Sequence, residues 1–94
     1  MSENEDEERL NALRKRLDEI HHWPSIYMFK FVIPNDPEKV KTLIQLFGES
    51  AEFRWRESGK GNYVAGTIRA MMLNADQIFD FYREASKIEG IISL

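Results

Sequence analysis

The chain contains no cysteine and no long apolar run. Without cysteine, disulfides, thiolate nucleophiles and thiolate metal ligands are all excluded. No apolar stretch approaches the roughly 18 residues that cross a bilayer. The acidic first twenty residues contain nothing typical of a signal peptide. We therefore expect a cytoplasmic protein without a membrane partner.

An excess of positive charge is also lacking. Residues 1–22 hold seven acids against four bases, whereas residues 23–94 hold nine of each, so the whole net charge of -3 lies in the first segment. Generic nucleic-acid binding depends on a basic footprint. No nucleic-acid partner is therefore expected.

An amphipathic helix is predicted for this first segment. From Glu5 to about His22 there is no proline or glycine, and apolar residues recur at spacings of three and four. These residues are Leu10, Leu13, Leu17 and Ile20. Trp23-Pro24 should end the helix, because the residue before a proline is driven out of the helical region. We divide the chain into an acidic helical arm (1–22) and a domain (23–94). The apolar stripe of the arm is narrow, so the isolated helix would be only marginally stable in water.

Six elements follow the arm in the order β-α-β-β-α-β. Alternating aromatic and β-branched residues identify the strands, and N-cap residues followed by an apolar stripe identify the helices. The predicted elements are a strand over 25–33, a helix from Pro37 to about Phe47, strands over 51–57 and 63 to about 73, a helix after Asn74 to about Ile88, and a strand over 91–94.

This order predicts a ferredoxin-like α+β sandwich with an additional N-terminal helix. Two β-α-β units with right-handed crossovers give an antiparallel sheet of spatial order 4-1-3-2. Both core helices then cover one face of the sheet. The other face stays open unless the arm or a partner covers it.

Three segments carry a resemblance to a known family. Trp23 to Lys30 is similar to an aromatic-Pro-x-x-aromatic-x-x-Lys entry into the first strand. Ser58 to Tyr63 is similar to a Ser-x-Gly-Asn-Tyr turn, one residue longer here, and Asp76 to Ile88 is similar to a second helix and final strand. In these segments the chain resembles the YbeD-like family, small bacterial proteins that form a domain of unknown function. The likeness covers about residues 20–94, but Ile33-Pro34 stands where the family usually has a glycine, and the long acidic arm is unusual.

The resemblance implies an ACT-like ferredoxin fold with no established activity. ACT regulatory domains bind small molecules between subunits, so the likeness favours regulation or binding over catalysis. Because one fold can have many functions, the resemblance implies only this broad class of function and no particular ligand.

Three short motifs suggest chemistry but have simpler interpretations. Asp18 precedes His22 by one helical turn, yet His21 points about 100° away from its neighbour, so a solvated helix end is favoured over a metal site. Gly59-Lys60-Gly61 joins two strands, whereas a phosphate-binding loop leads into a helix. The RNA-recognition signature needs two aromatic residues, and their positions are occupied here by Asn62 and Val64. We predict no catalytic, metal-binding or cofactor-binding residue.

One group of basic residues could form a functional surface. If Phe53 and Trp55 face the helices, strand alternation places a basic band on the open face. The band consists of Lys30, Arg54, Arg56 and Arg69. Its plain interpretation is ordinary solvated charge. The sharper hypothesis is that the acidic arm lies over this face, with its leucines on apolar spots and its acids near the arginines.

The sequence therefore predicts a non-enzymatic regulatory or protein-interaction module that acts through the open face, or through a homodimer interface built there. The alternative is an ACT-type domain that binds a small metabolite at a subunit interface.

Overall fold

The computed structural model describes residues 3–94, with side chains from residue 5 onward, so the first residues of the predicted arm lie outside the described part. Its elements are α1 (Glu3–Ile20), β1 (Ser25–Pro34), α2 (Pro37–Phe47), β2 (Glu52–Ser58), β3 (Tyr63–Met72), α3 (Ala75–Ala85) and β4 (Ile92–Ser93). The predicted β-α-β-β-α-β order after an N-terminal helix is confirmed.

Both core helices begin at the predicted caps. The Asp36 carboxylate accepts a hydrogen bond from the Glu38 N–H at 3.0 Å, and Pro37 occupies the first helical position, where its missing N–H costs nothing. The Asn74 side chain accepts from the Gln77 N–H at 2.9 Å, and the Gln77 side chain accepts from the Leu73 N–H at 2.7 Å. This reciprocal arrangement satisfies two backbone donors that a helix start leaves unpaired.

The second core helix is shorter than predicted. It ends at Ala85 rather than about Ile88, because the chain then tightens into turns with i to i+3 hydrogen bonds, from Lys87 N–H to Glu84 and from Ile88 N–H to Ala85. Ile88 still packs against the core. The apolar stripe therefore continues past the point where the α-helical bonding stops.

The sheet has the order β2-β3-β1-β4, which is the predicted 4-1-3-2 arrangement. All neighbouring strands are antiparallel. The central pair is β1 with β3, in register from Ser25 opposite Met72 to Pro34 opposite Tyr63. β2 pairs with the other edge of β3, and β4 covers only Phe31 and Val32 of β1.

Period-two alternation places the core on one face of this sheet. Phe29, Phe31 and Ile33 of β1 are fully buried, as is Ile68 of β3. Phe29 lies at the centre of an aromatic cluster, with its ring centroid 4.9 Å from that of Phe47 and also near those of Tyr27, Phe31, Phe81 and Tyr82. The hydrophobic core of this small domain is therefore the layer between the central strands β1 and β3 and the two core helices.

The arm packs against α3 rather than over the open face. The guanidinium of Arg14 donates two hydrogen bonds to the Asp76 carboxylate, at 2.6 and 2.9 Å, and Leu17 contacts the core. The Asp18 carboxylate accepts from the Trp23 indole N–H at 2.8 Å. Because these contacts lie on the helix side, the hypothesis that the arm lies over the open face of its own chain is wrong.

His21 also differs from expectation. α1 ends before it, and the imidazole stacks on Trp23 with ring centroids 5.2 Å apart while its Nδ1 lies 3.0 Å from the Ser25 hydroxyl. His21 is half-buried and His22 is exposed. Of the two histidines, only His22 is a solvated residue at the helix end, as predicted. His21 instead packs on the rings of Trp23 and Tyr27.

Tyr82 supplies a pH-dependent element of stability. Burial raises the pKa of its hydroxyl above the ordinary value of 10.0, and the neighbouring Tyr27 raises it further. Above about pH 10 the unfolded chain loses this proton while the folded domain keeps it. The folded state then binds more protons than the unfolded state, so its free energy of unfolding falls as the pH rises.

We expect Tyr82→Phe to lose less stability than the wild type between about pH 9 and 11, because phenylalanine has no proton to lose. Urea unfolding midpoints of the two proteins at the two pH values measure this difference. Equal losses in the two proteins would mean that Tyr82 does not contribute.

Candidate functional site

The open face of the sheet is the surface that no other described element covers. It is formed by the even-numbered residues of β1, the odd-numbered residues of β3 and the even-numbered residues of β2, because side chains alternate along each strand. Lys30, Arg54, Arg56 and Arg69 are all exposed and all belong to these sets. The structure therefore places the four predicted residues on one face.

The facing of β2 is fixed by a close contact on the opposite side. Trp55 lies directly across from Gly66 of β3, and its ring passes so close that a Cβ on Gly66 would lie 2.6 Å from the ring. Phe53 and Trp55 stack on each other with centroids 6.0 Å apart. Both side chains are on the helix side, although Trp55, on the edge strand, remains 36% exposed.

Three of the four cations gather around one hollow. Lys30 and Arg54 flank Thr67 from either side in the register, and Arg56 lies beside Ala65, one step along β3. The side chains surround a depression of about 350 Å³ on the open face. We call Lys30, Arg54 and Arg56 the cationic hollow. Thr67 and Ala65 form its floor, which only the strand register could have revealed.

Arg69 is separated from this group. Its neighbours across the sheet are Met28 on β1 and Glu52 on β2. It lines a different depression, of about 220 Å³, with Ile26, Glu52 and Met71. The predicted basic band is thus interrupted by a carboxylate, and Arg69 belongs to the apolar part of the face.

The cations of the hollow are available to a partner. Arg54 lies 3.4 Å from Glu52, but both side chains are more than half exposed, and such solvated pairs contribute at most about 1 kcal/mol. Among the side chains of residues 5–94, Lys30 and Arg56 take part in no ion pair. A carboxylate of a partner could therefore bind these cations without breaking a strong ion pair.

Beyond the hollow, the open face becomes apolar. Ile26, Met28 and Met71, which we call the apolar end, are each about half exposed, at 51%, 49% and 55%. Ile26 and Met71 are directly opposite each other on β1 and β3. A face with clustered exposed aliphatic residues beside unpaired charge is typical of interaction surfaces.

A larger hollow lies on the helix side but has less chemical definition. It measures about 580 Å³ between α2 and α3 and is lined by charges of both signs. Two of those, Glu84 and Lys87, already pair with each other at 3.0 Å. Nothing in this hollow selects one class of ligand, whereas the cationic hollow carries charged side chains of one sign and adjoins an apolar patch.

The structure shows where two of the short motifs lie. Among residues 3–94 there is no group of three potential His, Cys, Asp or Glu metal ligands. The segment Gly59–Gly61 is a short 3-10 turn at the tip of the β2–β3 hairpin, with Lys60 in the left-handed region at φ 59°. None of the helices in the described chain has the length and apolar character to cross a membrane.

Fold and surface together define a small ferredoxin-like α+β domain with an uncovered, partly cationic sheet face. The chain belongs to the family described as Protein of unknown function (DUF493), which matches residues 18–94. This is the YbeD-like family that the sequence resembles. Comparison with the curated proteins and with the solved structures gives no match. The match begins near the end of α1, so most of the acidic arm lies outside it.

Proposed function

We propose that this protein is a non-enzymatic regulatory or protein-interaction module that binds its partner through the open sheet face. The observation that carries the proposal is the pairing of the cationic hollow with the apolar end on one uncovered surface. A partner that fits both would present carboxylates beside aliphatic side chains. Electrostatic complementarity of this kind steers association and selects partners.

The charge of the hollow also argues against one form of self-association. If two open faces packed against each other about a two-fold axis, the same patch would meet itself, as in every isologous interface. Lys30, Arg54 and Arg56 would then approach the same cations of the second copy, and like charges brought together in an interface cost several kcal/mol. An acidic surface is the better complement.

Reversing the charge of the hollow should remove the partner. We expect the Arg54→Glu, Arg56→Glu double variant to lose proteins that the wild-type chain captures from an extract of its native cells, as quantified by mass spectrometry. The matched control is Lys39→Glu with Lys41→Glu on α2, which makes the same change in net charge on the helix side. Identical capture by all three baits would refute a role for the open face.

A second candidate function follows from the size of the cationic hollow. Its volume of about 350 Å³ falls within the range of small-ligand sites, roughly 300–1,000 Å³. A metabolite sensor of the ACT type would bind a small anion there at a subunit interface. A ligand that prefers the native state raises the melting temperature. Thermal-shift screening of amino acids and nucleotides therefore separates this candidate from the interaction module.

A further inference from the structure

The N-terminal half of α1 carries a surface that its own domain does not use. Leu17 is the member of the apolar stripe that contacts the core, whereas Leu10, Leu13 and Ile20 are 43%, 51% and 70% exposed. Every residue from 5 to 13 is exposed. The Cα radius of gyration, 14.4 Å, exceeds the roughly 12 Å expected for a compact chain of this length. This half of the helix therefore projects from the domain.

The projecting half is also the most acidic part of the described chain. Four consecutive acids, residues 5–8, precede the exposed leucines, and none of them takes part in an ion pair with another described side chain. Asp6 and Glu7 lie four and three residues before Leu10, so they share its side of the helix. The exposed stripe thus has an acidic end and an apolar end.

The open face is likewise divided, into the cationic hollow and the apolar end. Along β1, Lys30 in the cationic hollow is four residues from Ile26 at the apolar end, a separation of about 13 Å. On α1, Asp6 is seven residues from Leu13, a separation of about 10 Å. The acids and leucines of one arm can therefore meet the cations and aliphatic side chains of one open face at the same time.

The arm cannot reach the open face of its own chain while it is held on the helix side by Arg14, Asp76 and Leu17. We propose that the occupant is a second copy: the projecting half of α1 from one protomer lies on the open face of the other, with Asp6 and Glu7 against Arg54 and Arg56. Reciprocal exchange of two arms closes a two-fold dimer and leaves no free face for further copies. This inference rests on the proposed role of the open face and names its partner.

Sedimentation velocity of the full chain over a concentration series tests the exchange. We expect the wild type to dimerise and to dissociate as salt rises, because screening weakens exposed charge pairs. Arg54→Glu with Arg56→Glu, or Asp6→Lys with Glu7→Lys, should weaken dimerisation about tenfold or more. Combining all four substitutions should restore it, since each charge again meets its opposite. Lys39→Glu with Lys41→Glu should leave it unchanged.

Two results would overturn the arm-exchanged dimer. One is a wild-type chain that stays monomeric at every concentration, and the other is failure of the fourfold charge swap to restore association while circular dichroism shows native helix content. A monomer whose capture of other proteins still depends on Arg54 and Arg56 would reject self-association and leave the proposed function standing. A dimer insensitive to the charge of the open face would reject the arm as its occupant.

Discussion

Phe29→Ala is expected to destabilise the domain by about 3–5 kcal/mol. Phe29 is fully buried at the centre of the aromatic cluster, and its ring meets others from β1, α2 and α3. Truncation leaves a cavity that no single neighbour can fill. The free energy of unfolding of a protein is only about 5–15 kcal/mol, so this one substitution removes a large part of it.

Urea unfolding followed by circular dichroism measures the loss, and the adjacent residue gives a matched control. Lys30 is next to Phe29 on β1 but points to the open face, so Lys30→Ala should change the free energy of unfolding by about 0.5 kcal/mol or less. Similar losses in the two variants would mean that β1 does not have one buried and one exposed face.

Gly66→Ala is expected to cost about 1–3 kcal/mol, because the added methyl group would overlap the Trp55 ring. The nearest ring atom lies 2.6 Å from the position of the new Cβ. Either the indole must leave its place on β3 or β2 and β3 must separate. A lower unfolding midpoint together with a shift in tryptophan emission would report this displacement.

A double-mutant cycle isolates the contact. In a Trp55→Leu background the shorter side chain leaves room at β3, so Gly66→Ala should become neutral or slightly stabilising, as alanine restricts the unfolded chain more than glycine does. If the alanine costs the same free energy with and without the tryptophan ring, Trp55 does not lie on Gly66, and the facing of Arg54 and Arg56 must be reassigned with it.

The fold could be predicted from the sequence because its signals are local and agree with one another. Alternation of Phe29, Phe31 and Ile33 with Lys30 and Val32 defines a half-buried strand without reference to any partner. The cap residues Asp36 and Asn74 mark the helix starts through hydrogen bonds that span two or three residues. Once the element order is known, the handedness of crossovers leaves few sheet orders.

The placement of the arm could not be predicted in the same way. Its position depends on an ion pair between Arg14 and Asp76, 62 residues apart, and nothing near either residue distinguishes that pairing from others. The apolar stripe is equally compatible with α3 and with the open face. The sequence also could not predict which cations share the hollow, because the separation of Arg69 from Arg54 follows from the strand register alone.

The close approach of Trp55 to β3 did have a sequence signal. Gly66 interrupts a strand of larger side chains, and an isolated strand glycine often marks a place where another group comes near the backbone. Its partner could not be named before the register was known.

The attachment of α1 gives the molecule two levels of cooperativity. Releasing the helix would break its contacts through Arg14, Leu17 and Asp18 but none of the hydrogen bonds within the sheet. Its amides should therefore exchange with solvent through a partial opening that needs far less free energy than global unfolding. The helix can therefore leave its docked position while the ferredoxin-like core stays folded.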